Sequence, residues 1–232
     1  MLDLRSKIKP PTKFIHSIRD ELIGVLIFVG IMWVVFIVDY ICGSPLSGRF
    51  ALIPRSFSRL PGIIAMPFLH RDFSHIGGNT LPLLVLMWLL AGSRAQSWKI
   101  VTLICLFGGT LLWLFGNPVD FFKGLIVEQS VIRPHVGASL LIFGLVTFLM
   151  SSGYFESRPI PLLISVLVAV LYGTTLLGGV IPKAGVSWEG HLSGAVAGVI
   201  VAYWLVKHPA SFAKSTKPLD FVDKKKTRAG TS

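Results

Sequence analysis

Four polar residues stand out against apolar surroundings: His75, Asn79, Ser139 and His191. A serine becomes a nucleophile when a base takes its proton, and imidazole is a common base for the task. A carboxamide, a second imidazole and a backbone N–H are suited to hold the oxyanion of a tetrahedral intermediate. Together these types specify acyl transfer. Ser139 and His191 would form a dyad, with His75, Asn79 and the Ser139 N–H as oxyanion donors. Asp72, Glu128 and Glu189 are the carboxylates that could approach, but no spacing puts one beside His191, so no third member is expected.

These residues can cooperate only if the segments carrying them meet. The chain has 232 residues, 53% hydrophobic and 14% charged, with a mean hydropathy of +0.72. Soluble domains carry about 25% charged residues. A soluble enzyme, a disordered chain and a single-span receptor are therefore excluded. Six bilayer spans of roughly 20 residues require about 120 apolar positions, which is what this composition supplies. The apolar runs fall at 22–42, 75–91, 98–116, 135–150, 160–181 and 188–206. The expected fold class is an all-α, polytopic, six-transmembrane-helix bundle. The first run is too long for the apolar core of a cleaved signal and has no small-residue cleavage pattern after it, so it reads as a retained anchor. Residues 43–74 mix arginines with apolar side chains, which suits a segment lying in the headgroup region. The organisation expected is a cytoplasmic segment at 1–21, a membrane domain at 22–206 and a basic, disordered tail at 207–232 containing Lys224, Lys225 and Lys226.

The net charge is +11. Nucleic-acid binding would need basic residues gathered on one face, whereas here they lie between apolar runs, so no nucleic-acid partner is expected. With the N-terminus inside, fifteen Lys and Arg fall on inner segments and seven on outer ones. That bias puts both termini in the cytoplasm. Even-numbered spans then run inward, so His75, Asn79, Ser139 and His191 share one depth near the outer ends. Each lies within about 10 Å of its span's start at ~1.5 Å per residue. His75 and Asn79 are four apart and share a helix face. Gly190, Gly194 and Gly198 repeat every four residues on span six, and Gly137, Ala138 and Gly144 surround Ser139. Small residues at such spacing let helix backbones approach closely, as a serine–histidine hydrogen bond of about 2.6–3.2 Å requires.

At these residues the chain resembles the rhomboid family of intramembrane serine proteases. The match is His70-Arg71-Asp72-Phe73-Ser74-His75-Ile76-Gly77-Gly78-Asn79, then Gly137-Ala138-Ser139, then Gly190-His191-Leu192-Ser193-Gly194. The resemblance covers about residues 22–206 and fits the six-span basic form, a rhomboid-like bundle. It implies a Ser139–His191 dyad with His75 and Asn79 at the oxyanion. It further implies a structural role for His70, a ring at Phe143 stacked on the catalytic histidine, a lateral gate at 160–181 and a cap at 182–188. No metal and no cofactor is implied. The partners implied are membrane-protein substrates with helix-destabilised transmembrane segments, within a lipid bilayer. The short form suggests a bacterial inner membrane.

Two positions depart from the family pattern. Leu140 follows Ser139 where the family has glycine, so a larger side chain must be housed between helices or in the substrate groove. The family's Trp-Arg pair in the first loop is missing, with Arg49, Arg55 and Arg59 in that region. The second reading is accordingly an inactive rhomboid-like protein that binds transmembrane helices, and a remote third is a small transporter. Transporter sites lie near the midplane within paired repeats, which the shallow polar residues here do not match. Elsewhere the plain readings are preferred. His135 reads as a loop or helix-start histidine near the interface, Asp39 as reaching the outer interface, and Glu189 as complementing the span-six N-terminus. Cys42 and Cys105 read as packed thiols.

Overall fold

The computed structural model describes residues 12–93, 96–117, 134–182 and 186–208, with side chains from residue 19 onward. Glu128, Lys183 and the tail beyond His208 lie outside the described residues. Helices account for almost all of the regular structure. They are α1 (Thr12–Ile41), α2 (Pro45–Phe50), α3 (Gly62–Ala65), α4 (Phe73–Ser93), α5 (Ser97–Phe115), α6 (Ser139–Glu156), α7 (Pro159–Gly179) and α8 (Trp188–Lys207). Six of these, α1 and α4 to α8, are long and apolar enough to cross a membrane. Among the described residues the only extended pairing is an isolated antiparallel bridge between Leu52 and His135.

α6 is the hub. In its most apolar window 67% of residues are buried, against 11% in α7. It packs most extensively on α8 and then on α7, and α5 packs against both α8 and α6. The glycines explain how closely α6 and α8 meet. A Cβ at Gly194 would strike the carbonyl of Leu140, and one at Gly198 would strike that of Gly144 and the hydroxyl of Thr147. Thr147 Oγ1 then donates across the interface to Ala195 O at 2.8 Å. This hydrogen bond ties backbone to side chain where lipid offers no water to do so. α1 leans on α4: Trp33 Nε1 donates to Thr80 Oγ1 at 3.1 Å, and Phe36 meets Phe73 edge-on at 4.9 Å.

The segment between α1 and α4 is a chain of short turns. Asp39 turns back onto the protein at the start of α2. It is 2% exposed, and its carboxylate accepts the N–H groups of Leu46 at 2.7 Å and Ser47 at 3.1 Å. Those are first-turn donors of α2 that have no helical partner, so the charge is spent on capping rather than on hydration. Arg55 anchors the same segment to the bundle, donating from Nη1 to Gly116 O at 2.7 Å and Leu114 O at 3.2 Å. A cation over terminal carbonyls complements the α5 C-terminus. Arg59 instead donates to Gly48 O within the segment.

The fourth apolar run becomes helical later than its composition predicts. α6 starts at Ser139, not His135, and continues to Glu156. Gly137 has φ +108, which no helix residue adopts, and the backbone of His135 is already paired with Leu52, at 2.8 and 3.1 Å.

Candidate active site

Three helix starts supply the site. The first is α4. Asp72 precedes it, and its Oδ1 accepts the His75 N–H at 2.8 Å and the Ser74 hydroxyl at 2.6 Å. This is an N-cap reaching the third residue of the helix. The Ser74 and His75 hydrogen bonds hold the Asp72 carboxyl below its usual range. With its first turn fixed, α4 presents His75 and, one turn on, Asn79. The Asn79 amide nitrogen lies 3.0 Å from His70 Nε2. An amide nitrogen only donates, so His70 accepts, and one Asn79 N–H remains for another acceptor. His70 is 3% exposed. Burial, with the neighbouring His75 second, pushes its pKa down to about 4, which keeps the ring neutral and able to accept. The His70 and His75 rings stand 5.0 Å apart.

The second start is α6. Gly137 donates its N–H to Met66 O at 2.9 Å. A Cβ on it would lie 2.6 Å from His75 Nε2 and 3.4 Å from Asn79 Nδ2. Glycine is therefore required twice, for its positive φ and for the close approach of His75 and Asn79. Ser139 is the first residue of α6, where the backbone N–H has no partner inside the helix and the helix dipole favours negative charge.

The third start is α8, which carries His191. The ring lies flat on Phe143, centroids 4.1 Å apart and planes 3° from parallel. Nδ1 is 2.8 Å from Gly179 O, the last residue of α7. A carbonyl only accepts, so Nδ1 carries the proton and Nε2 keeps the lone pair. Gly179 leaves room for this arrangement, since a Cβ there would run into the Phe143 ring and stand 3.2 Å from His191 Nδ1.

Ser139, His191, His75 and Asn79 line one cavity of about 940 Å³. It runs inward between α4, α6 and α7 past Pro82, Val146 and Tyr172. Among the described residues no hydrogen bond joins Ser139 to His191, although α6 and α8 are in close contact. Catalytic hydrogen bonds are often long without substrate and tighten when it binds.

Leu140 is housed between helices. It is 2% exposed, packs with Leu52, Met66 and Leu112 and does not line the cavity. Gly108 on α5 provides the space: a Cβ there would be 2.8 Å from Leu140 Cδ2. Of the remaining expectations, Glu189 stands in the first turn of α8 and lines the cavity.

His135 stands in the segment just before α6 and is enclosed by protein. It is 4% exposed, and its ring nitrogens meet Ser187 Oγ at 2.6 Å and Asn117 Oδ1 at 3.0 Å. Burial pushes its pKa down to about 4. All three residues line the cavity. Asn117 and Ser187 had no signal in the sequence, being single polar residues at span ends. Gly179 had none either, because its contribution is a carbonyl.

Comparison with known proteins finds a family and several relatives. The family model described as Rhomboid domain matches residues 57–208, from the turns before α3 to the end of α8. Proteins from Mycobacterium tuberculosis and Mycobacterium bovis, both named as uncharacterized, are 38% identical over 198 residues, covering 83% of this chain and 78% of theirs. An uncharacterized protein of Mycobacterium leprae is 36% identical over 205 residues, covering 85% of this chain and 77% of its own. The six apolar helices and the family match lead to one conclusion: the chain is a multi-pass membrane protein that belongs to the rhomboid family.

Proposed function

We propose that this rhomboid is an active intramembrane serine protease that hydrolyses peptide bonds in or near the transmembrane segments of other membrane proteins. The observation carrying this reading is the fixed His191 ring. Stacked on Phe143 and donating from Nδ1 to Gly179 O, it keeps Nε2 basic on the wall of a cavity shared with Ser139, His75 and Asn79.

Chemically, Ser139 Oγ attacks the scissile carbonyl as its proton passes to His191 Nε2. The oxyanion is held by the Asn79 amide, the His75 ring and the Ser139 N–H. The imidazolium then gives its proton to the leaving amine, and water hydrolyses the acyl-enzyme with His191 again as base. The active site opens to the outer side of a bacterial inner membrane, with both termini cytoplasmic, as the Lys and Arg bias implies. Substrate helices must unwind to expose a carbonyl, because helical carbonyls are already hydrogen-bonded. Segments containing glycine and other weak helix formers would be cut most readily.

The inactive-binder reading drew on Leu140. Its side chain fills the space left by Gly108, away from the cavity, and so gives no ground for inactivity. The test is labelling by a serine-reactive fluorophosphonate in detergent. The native chain should be labelled, and Ser139→Ala and His191→Ala should not. Label that persists in Ser139→Ala removes the nucleophile, and an unlabelled native chain favours the binder.

A further inference from the structure

A second serine–histidine pair lies one step outside the first. His135 is four residues before Ser139, and Ser187 is four before His191. Their side chains are hydrogen-bonded at 2.6 Å, so the two chain segments that deliver the dyad are joined directly, ahead of both catalytic residues.

Each half of this contact is held firmly. The His135 backbone is paired in both directions with Leu52. Its Nε2 lies 3.0 Å from Asn117 Oδ1. A carbonyl oxygen accepts, so Nε2 carries the hydrogen and Nδ1 is left to accept from the Ser187 hydroxyl. Ser187 connects onward to the dyad, because the His191 N–H donates to its carbonyl at 3.1 Å in the first turn of α8. Even the space is provided: a Cβ at Gly190 would be 2.6 Å from Ser187 Oγ. Gly190 thus lets the hydroxyl lie against the helix and point at His135.

We infer that the Asn117–His135–Ser187 chain is a positioning device, which sets the first turn of α8 against the lead into α6 and so fixes the placement of His191 relative to Ser139. Further along, α8 meets α6 at the Gly194–Leu140 approach and the Thr147–Ala195 hydrogen bond, both on the far side of His191 from Ser187. Misplacement of a catalytic group by about 1 Å can lower rate ~100-fold.

The inference rests on the dyad reading for its catalytic consequence, so the experiment has one arm that needs no activity. Full-length protein with 15N-histidine, in detergent, reports the imidazole nitrogens directly. In the native chain His191 should show a single tautomer protonated at Nδ1, and His135 one protonated at Nε2. Ser187→Ala and Gly190→Ala should both convert His191 to a mixture of tautomers, whereas Ser187→Thr, which keeps the hydroxyl, should restore the single form. A His191 signal that stays the same in both alanine variants overturns the inference. In the second arm, the fluorophosphonate labelling rate at Ser139 should fall about 10- to 100-fold in each alanine variant. The double variant should be no slower than the slower single, with the thermal midpoint little changed. Rate losses that multiply in the double variant would mean two separate defects and would also overturn it. A label found on Ser187 in the Ser139→Ala chain would make Ser187 a nucleophile instead. A native chain that takes no label defeats the protease reading, and the tautomer arm still decides the positioning role.

Discussion

Leu140→Ala separates housing from obstruction at the residue after the nucleophile. Leu140 is 2% exposed and surrounded by Leu52, Met66 and Leu112, with Gly108 against its tip. Removing a buried leucine side chain from a soluble core lowers stability by about 2.7–5.0 kcal/mol. In lipid or detergent the transfer part of that figure shrinks, because the separated helices keep apolar side chains out of water, while the lost dispersion contacts remain. About 2–3 kcal/mol is therefore expected. For a chain of this size each kcal/mol moves the midpoint by about 2–4 °C, so unfolding in mild detergent should shift down by about 5–10 °C. Fluorophosphonate labelling of Ser139, measured well below the midpoint, should stay within about threefold of the native rate. Gly108→Ala supplies the other half of a cycle. Alone it forces Leu140 to move, but in the Leu140→Ala background it should partly refill the space, giving a favourable coupling of about 1 kcal/mol. Labelling that rises several-fold in Leu140→Ala or Leu140→Gly at an unchanged midpoint would refute this account, since the leucine would then be blocking the groove.

Gly137→Ala should lose labelling by about 100- to 1,000-fold, because the new methyl group would meet the His75 ring at 2.6 Å and displace an oxyanion donor. The backbone penalty at φ +108 adds about 1–3 kcal/mol of destabilisation, seen as a lower midpoint. On acidification, His70 and His135 act in the same direction. Both have folded pKa values of about 4 against an ordinary 6.5, so the unfolded chain binds more protons between those limits. Their stabilisation is complete above about pH 6.5 and is lost as pH falls toward 4, by up to about 3 kcal/mol each. Thermal midpoints at pH 7 and pH 5 should differ, and the difference should shrink in His135→Asn.

The spans and the site were legible for different reasons. Six apolar runs announce themselves because lipid leaves few alternatives to a helix. Ser139, His191, His75 and Asn79 were conspicuous because so little else inside those runs is polar. Gly194 and Gly198 were readable as a close-packing stripe, and the Thr147 hydrogen bond across it was not, since a threonine facing a neighbour looks like any other in sequence. The start of α6 was misplaced because hydropathy does not report backbone conformation; the positive φ of Gly137 and the Leu52–His135 bridge decide it. The hydrogen-bond partners of His135 and Asp39 were hidden for a related reason. Both residues belong to segments whose partners lie far away in the chain, 52 residues for Ser187 and 83 for Leu52 in the case of His135, or in a turn just past the helix end, α2 in the case of Asp39.

In the structure His191 Nδ1 is held by a backbone carbonyl, and this geometry shows how the proposed dyad could work without a third acidic member. In a triad the acid holds the imidazole in the correct tautomer and orientation and stabilises the imidazolium. Here the first two tasks are divided between two other groups. Phe143 fixes the plane of the ring at 4.1 Å, and the Gly179 carbonyl fixes the proton on Nδ1 at 2.8 Å. Neither group carries a formal charge, which suits a helix bundle where a buried carboxylate would be expensive to keep ionised. The carbonyl dipole and the π face supply the stabilisation of the imidazolium that remains. The arrangement also places part of the base's support on α7, the least buried of the spans that line the cavity. On the proposed mechanism the basicity of His191 depends on where the C-terminal end of α7 stands, and any movement of that helix to admit a substrate would have to end with Gly179 back against the ring.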